Sequence, residues 1–296
     1  MNYFLDEPWV TLLARSGSIH RPLELKVAGL SVWVGEYRNA RQRKWQLYGA
    51  WEEDGAEAWL EELFALGRHH GVFQIECAFN MARWTDDRLL ARLGARITDE
   101  FGTSVVDLGR EERQLWSGLH GKHRNMVNRA RREAIQVRST LDVHEFITLM
   151  DRSYAKGDMK NPFPREYLRS LLSLAGPRLL TMGAYSDRGL EAGAIVPLDA
   201  QRGYYLHGAT LPDGVPGAAQ WLHWEVMLEL KRRQVAVYDL GGVRRATDNP
   251  RLQGIFQFKE RFGGRFQPCW YWYRVIHPGR KWFHDLVTRL RVGKTA

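Results

Sequence analysis

The sequence lacks most of the features that mark secreted, disulfide-rich or membrane-spanning proteins. Its 296 residues include only two cysteines, Cys77 and Cys269, whose spacing matches no metal site and allows at most one disulfide. No run of roughly 18 or more apolar residues occurs, which argues against a transmembrane helix. The N-terminal MNYFLDEPWV has no basic-then-apolar secretory pattern. We therefore expect a cytoplasmic protein.

The motifs of several large enzyme classes are also missing. The sequence contains no G-x-x-x-x-G-K-[ST], G-x-S-x-G or H-E-x-x-H motif and no Rossmann fingerprint. Its histidines do not pair with Cys, Asp or Glu at ligand spacing, and His69-His70 looks like a helix end. We expect no metal, no cofactor and no nucleophilic triad.

Positive charge is present in excess and is concentrated in two segments. The composition, 44% hydrophobic and 26% charged, is that of an ordinary globular protein with one large domain or two. The net charge is +9, of which residues 120–138 supply +5 and residues 280–296 supply +4. Two basic patches on a neutral body indicate a polyanionic partner: nucleic acid, a phosphorylated substrate or an anionic membrane surface.

Hydrophobic periodicity predicts two similar α/β halves. Leu23, Leu25 and Val27 alternate with polar residues, and with 30–34 they predict a β-hairpin. The other predicted elements are helices at 52–69, 142–154, 165–174 and 218–233, and strands at 72–76, 104–108, 178–185, 190–198, 202–209 and 235–240.

A basic helical segment, residues 111–134, lies between the halves. Gly118 and Gly121 interrupt it and predict two helices. A solvated linker helix and an anion-binding surface are both consistent with it. Because Glu133 alone offsets five cations, we favour anion binding. The apolar arc of the second helix is Met126, Val127, Ala130 and Ala134, and its cations are Lys122, Arg124, Arg129, Arg131 and Arg132.

The C-terminal segment is predicted to form a second amphipathic helix. It is either a docking helix on the body of the protein or an element that touches anionic lipid, and its short apolar face favours docking. The apolar arc holds Trp282, Phe283, Leu286, Val287 and Leu290, with Lys281, Arg289 and Arg291 outside it.

Residues 238–264 are the most informative stretch. A predicted strand reaches Asp239 and continues into Gly241-Gly242, a pair that allows close backbone approach to a ligand but is also common in turns. A short helix then carries Phe258-Lys259. Aromatic neighbours would shield the Lys259 ammonium partly from water, so that it could face an oxyanion or a phosphate. The alternative is a surface lysine beside Glu260.

Four segments in this order resemble the FemABX family of aminoacyl-tRNA-dependent peptidyl transferases, which add amino acids to peptidoglycan precursors. They are LW…KHRNMVNRARREAIQV, RGYYLHGA, VYDLGG and FQFKERFGG, within residues 111–266. The resemblance implies an α/β fold of two tandem GNAT-like domains, each a mixed twisted sheet flanked by helices. The first would be 1–138, with the tail 267–296 packing back on it, and the second 139–266.

The resemblance also implies roles for single residues. Lys259 with Phe258 matches a Phe-Lys pair that handles the aminoacyl ester and the tRNA end. Tyr204 or Tyr205 matches a tyrosine near the acceptor, and Lys156 stands where the family has an arginine that contacts precursor phosphates. The first half departs from the family, because LYGAW at 47–51 replaces a proline-containing turn. The long helical arm of some members is also missing.

Three functions follow as hypotheses. The first is transfer of an amino acid from aminoacyl-tRNA to an amine of a peptidoglycan precursor or small peptide, in the cytoplasm, with peripheral contact at the inner face of the membrane. The basic residues would bind tRNA or precursor phosphates, Gly241 and Gly242 would line the substrate, and Asp239 is a candidate base. The second is an acyl-CoA-dependent N-acyltransferase, with residues 213–218 as a pyrophosphate site at a helix N-terminus. The third is a non-catalytic nucleic-acid-binding protein, which rests on charge alone.

Overall fold

The computed structural model describes residues 2–38, 42–50, 55–77, 79, 82, 84–245 and 247–277. The chain divides into two compact units, one of Gly102–Pro268 and one of Asn2–Phe101 with the chain from Cys269. The predicted apolar arc from Trp282 to Leu290 lies outside the described residues.

The unit of residues 2–101 contains the predicted hairpin. Strands β1 (Arg21–Val27) and β2 (Leu30–Arg38) pair antiparallel, with Val27 opposite Leu30. Ala28 and Gly29 connect them with φ angles of 50° and 76°, as a two-residue type I′ turn requires. The hairpin prediction is confirmed.

A mixed sheet extends from this hairpin. Strand β3 (Arg43–Gln46) pairs antiparallel with β2 and parallel with β4 (Gln74–Cys77), and β12 (Arg265–Val275) pairs antiparallel with β4. The core beneath it is rich in buried tryptophan and leucine. The helical elements are a 3-10 turn (Tyr3–Leu5), α1 (Glu7–Arg15), α2 (Ala56–His69) and α3 (Asp87–Arg92).

The unit of residues 102–268 contains strands from two sheets. In the first, β11 (Val237–Val243) pairs antiparallel with β5 (Arg96–Asp107) and parallel with β9 (Arg202–Tyr204). The second has the antiparallel order β10-β8-β7-β6, formed by His207–Thr210, Gly189–Pro197, Leu179–Ser186 and Gln136–Arg138. The helices are α4 (Glu112–Gly118), α5 (Gly121–Arg132), α6 (Val143–Ala155), α7 (Arg165–Leu172), α8 (Ala218–Arg232) and α9 (Pro250–Glu260).

The single strand predicted at 202–209 is wrong, because the chain changes sheets in its middle. The Tyr205 amide donates to the carbonyl oxygen of Asp239 in β11 at 2.8 Å. The next amide, of Leu206, donates to Ile195 in β8 at 3.1 Å. Alternation of apolar residues does not reveal which partner a strand selects. The two sheets therefore part at Tyr205.

The two helices predicted for the basic segment are confirmed as α4 and α5. Val127 and Ala130 are buried as the predicted arc requires. Ala134 is not part of that arc, because it follows the helix with φ at 55° and is exposed. His123 takes the inward position instead, at 2% exposure. The architecture is α/β, as the sequence predicts, with one mixed sheet and one antiparallel sheet, so the expectation of two mixed sheets is wrong for the second sheet.

Candidate active site around Lys259

Lys259 lies near the end of α9, a helix that is well defined at its start. The Asn249 side chain accepts hydrogen bonds from two amides of the first turn, and Pro250 takes the first helical position. Lys259 is only 9% exposed, and its Nζ donates to the carbonyl oxygen of Gly242 at 3.1 Å. The same nitrogen lies 5.8 Å from the ring centroid of Tyr205. Three predicted site residues, Lys259, Gly242 and Tyr205, therefore lie together.

A β-bulge in β11 directs the Gly242 carbonyl toward this ammonium. The pairing register with β5 shifts between Asp239 and Gly242, and Gly241 has a φ of 82°, which favours glycine. Asp239 is fully buried, with Oδ1 accepting from the Gly241 amide at 2.8 Å and the Thr103 hydroxyl at 2.5 Å, while Oδ2 accepts from Arg202 at 3.3 Å. These contacts favour an anchoring role for Asp239 over the role of a base.

The two neighbouring tyrosines have different surroundings. Tyr204 is 1% exposed and donates its hydroxyl to Asp199 at 3.0 Å. Tyr205 is partly exposed and lies beside the Lys259 ammonium, and burial raises its pKa. A Cβ on Gly208 would lie 1.9 Å from the Tyr205 hydroxyl oxygen, so glycine is needed to leave room for that ring. Of the pair, Tyr205 belongs to the candidate site.

Two buried histidines, which the sequence analysis did not select, pack against the aromatic residues of the candidate site. His223 of α8 shares a hydrogen bond between Nδ1 and the Tyr238 hydroxyl at 2.8 Å, and its ring centroid lies 4.5 Å from that of Tyr205. Burial, with a smaller contribution from the charge of Lys259, lowers the pKa of His223 to about 3, so the imidazole is neutral at physiological pH. His123 of α5 is equally buried, and burial lowers its pKa to about 4.

Phe258 and Phe262 pack between these imidazoles. The Phe258 ring centroid lies 5.2 Å from Phe262, 5.3 Å from His123 and 5.6 Å from His223. Such packing between aromatic rings holds them in place. The ring of Phe258, which directly precedes Lys259 in α9, is therefore fixed by its aromatic neighbours.

Lys156 lies at the end of α6, on an exposed loop. Its Nζ donates to the carbonyl oxygen of Pro212 at 3.3 Å. A second cation adjoins this loop, because Nη1 of Arg251 lies 2.9 Å from the Met159 sulfur. Arg251 is at the start of the helix that ends with Lys259. The sequence analysis did not select it.

The predicted phosphate-binding cations of α5 differ in their surroundings. Lys122, Arg129 and Arg132 point to solvent, and Arg129 forms an i,i+4 pair with Glu133 at 3.6 Å. The Arg124 guanidinium instead donates to carbonyl oxygens of Ser117 and Leu119 at the end of α4.

Arg131 combines exposure with a fixed position. Its guanidinium carbon lies 4.2 Å from the ring centroid of Trp221 and 5.5 Å from that of Trp116. Stacking on indole leaves the guanidinium edge available to phosphate.

The loop considered as a pyrophosphate site is occupied by protein groups. The Glu191 carboxylate, 1% exposed, accepts the Val215 amide at 2.8 Å. A Cβ on Gly217, the N-cap of α8, would lie 2.1 Å from the carbonyl oxygen of Met126. A buried carboxylate and a closely packed carbonyl both oppose binding of an anion at this helix start.

The described residues lack two further features. They include no helix that is both long and apolar enough to cross a bilayer. They also include no cluster of three or more His, Cys, Asp or Glu side chains placed to hold a metal ion.

Comparison with known proteins identifies the fold. Residues 121–260 match the acetyltransferase (GNAT) domain model, and all predicted site residues lie within that range. The crystal structure of FemX superposes with a TM-score of 0.78 at 11% identity, covering 97% of this chain and 94% of FemX. The chain has the FemX fold. The resemblance predicted from sequence is thus confirmed at the level of fold.

Two other structures superpose on this chain with lower scores. The C-terminal domain of a protein described as a lysylphosphatidylglycerol synthetase from Agrobacterium fabrum gives a TM-score of 0.59 at 14% identity, with 86% of this chain and 83% of that chain covered. L-PGS from Bacillus licheniformis gives 0.59 at 14% identity, with 88% and 87% covered. No curated protein matches the chain in sequence.

Proposed function

We propose that this protein is an aminoacyl-tRNA-dependent aminoacyltransferase that forms an amide bond on an amine of a peptidoglycan precursor or a small peptide. The observation that carries the proposal is the buried Lys259 ammonium, held by the Gly242 carbonyl beside Tyr205 within a fold like that of FemX. An aminoacyl ester is an activated donor, so the reaction needs positioning and charge stabilisation rather than a metal.

The proposed reaction is aminolysis of the ester. The acceptor nitrogen attacks the ester carbonyl carbon, a C–N bond forms, and negative charge develops on the carbonyl oxygen. The Lys259 ammonium stabilises that charge from a site that little water reaches. The C–O bond to the terminal ribose then breaks, and the proton lost by the amine ends on the ribose hydroxyl that leaves.

The basic face of α5 supports a polyanionic donor. Lys122, Arg129 and Arg132 are exposed on it, and stacking on Trp221 orders Arg131. We assign tRNA or precursor phosphates to this face. Lys156 is proposed to bind the acceptor's phosphates, together with Arg251 near the same loop. Both cations would act in substrate binding rather than in the chemical step.

The proposed architecture is two tandem GNAT-like domains, as the FemABX resemblance implies. The boundaries at 138 and 266, with the tail 267–296 on the first domain, are part of that proposal. Location at the inner face of the membrane also belongs to it.

The acyl-CoA-dependent alternative is less favoured because Glu191 and Met126 occupy the start of α8. A donor comparison distinguishes the two. Purified protein is incubated with a lysine-containing peptide and either tRNA charged with radiolabelled amino acids or labelled acetyl-CoA. The proposal expects label from charged tRNA only, abolished by RNase pretreatment. Transfer from acetyl-CoA alone would support the alternative.

A further inference from the structure

The last turn of α9, which carries Lys259, is held by groups from the start of α5. The final carbonyl groups of a helix lack partners within the helix and must find others. The Phe258 carbonyl oxygen is bonded to Nε2 of His123 at 2.9 Å, and the Arg261 carbonyl oxygen accepts the His120 amide at 2.9 Å. The two helices are thereby joined at the site.

The bond from His123 defines the state of that imidazole. A carbonyl oxygen only accepts, so Nε2 of His123 carries the proton and donates it. The ring is 2% exposed and lies 4.5 Å from the centroid of Phe262. It has little freedom to rotate away, so the donor is held in place.

The bonded carbonyl belongs to the peptide unit that precedes Lys259. The Phe258 carbonyl and the Lys259 amide lie in one rigid plane, so fixing the oxygen fixes the orientation of the Lys259 backbone. The Lys259 carbonyl oxygen in turn accepts the Phe262 amide at 3.2 Å. The lysine is therefore restrained at both of its peptide units.

We infer that His123 is a positioning residue for Lys259. Its imidazole holds the peptide plane from which the ammonium reaches toward Gly242, and it connects that plane to the basic helix α5. This inference rests on the proposed function, because it concerns the placement of the same lysine. Loss of the bond would displace the ammonium without removing a group that touches substrate.

The experiment compares His123→Gln, whose side-chain amide keeps a donor, with His123→Leu, which does not, and with His144→Leu on the exposed face of α6 as control. For transfer from charged tRNA, we expect kcat of His123→Leu to fall about 10-fold to 100-fold while KM stays within about 2-fold. His123→Gln should recover most of kcat, and His144→Leu should match the wild type. Should His123→Leu not fold, His123→Asn takes its place with the same expected loss, because its shorter amide does not reach the carbonyl.

A second readout does not depend on activity. Competitive labelling with acetic anhydride reports how accessible Lys259 is, with exposed Lys26 as internal standard. We expect slow labelling of Lys259 in the wild type and in His123→Gln, and labelling about 10-fold faster in His123→Leu. Unchanged kcat or unchanged Lys259 labelling in His123→Leu would overturn the inference. Absence of transfer by the wild type, with the labelling difference present, would overturn the proposed function and leave the positioning role established.

Discussion

Tyr205 and Leu206 are adjacent in the chain, but their backbone amides donate to strands of different sheets, at 2.8 Å to Asp239 and 3.1 Å to Ile195. The Lys259 ammonium lies 5.8 Å from the centroid of the Tyr205 ring, next to the point where the sheets part. Where two strands separate, their backbone groups and side chains become accessible to a ligand. This is where we expect the acyl group to be transferred.

Tyr204 and Tyr205 form a matched pair for mutagenesis. Tyr205→Phe should lower kcat about 10-fold with little change in stability, because it removes the hydroxyl from the ring that lies beside the Lys259 ammonium. Tyr204→Phe should keep kcat and lower the free energy of unfolding by about 1 kcal/mol, because it loses a buried hydrogen bond to Asp199. Steady-state kinetics and urea denaturation measure both effects. The reverse pattern would move the site to Tyr204.

Substitution of Gly263 tests whether the FGG segment after Lys259 requires glycine, and substitution of Gly254 is the control. Gly263 has a φ of 78°, and a Cβ there would lie 2.7 Å from the carbonyl oxygen of Gly118. Gly263→Ala should lower the free energy of unfolding by about 1–3 kcal/mol. Gly254 is an exposed position inside α9 with open space around it, so Gly254→Ala should gain about 0.5–1 kcal/mol. Equal effects at both glycines would contradict the packing described.

Acid should destabilise the fold through its buried histidines. Burial lowers the pKa of His123 to about 4 and those of His207 and His223 to about 3, against 6.5 when solvated. The unfolded chain therefore binds more protons below the solvated pKa, and stability falls as the pH decreases from about 6.5 toward 4. Above that range these groups contribute no pH dependence. Urea denaturation across this range should show a slope smaller by about one proton in His123→Gln, a change worth about 1.4 kcal/mol per pH unit. An unchanged slope would show that His123 is already protonated or solvated in the native protein.

The basic helix should contribute a salt-dependent part of tRNA binding. Replacing Arg129, Arg131 and Arg132 by Gln should weaken binding and reduce the slope of log affinity against log salt by about 2–3, because each phosphate contact releases counterions. The control replaces three exposed cations elsewhere, Arg15, Lys26 and Arg88. If both triple variants lower the slope equally, the effect is one of net charge and α5 is not the contact surface.

Local patterns in the sequence were sufficient for much of the fold. The alternation before Ala28 and Gly29 predicted the hairpin, and the two glycines at 118 and 121 predicted the separation of α4 from α5. Both are short-range effects of periodicity and backbone freedom. The change of sheets at Tyr205 was missed because strand pairing depends on residues distant in sequence.

Only those residues of the candidate site that belong to a sequence motif were predicted. Lys259, Gly242 and Tyr205 were selected from sequence and meet in the structure. His223 was missed because it lies on the buried face of an ordinary helix, and its contacts with Tyr205 and Tyr238 form only in the folded chain. His123 had a usable signal, since it precedes Val127 and Ala130 at helical spacing and so falls on the apolar face of an otherwise basic helix.

The most direct test of the account is the turnover number for transfer from charged tRNA in Lys259→Met, measured beside Lys26→Met on the exposed hairpin and beside the melting temperature of each. The account predicts that kcat falls about 100-fold to 1,000-fold in Lys259→Met, with a small change in melting temperature and no change in Lys26→Met. Turnover that survives the loss of the Lys259 ammonium would contradict it.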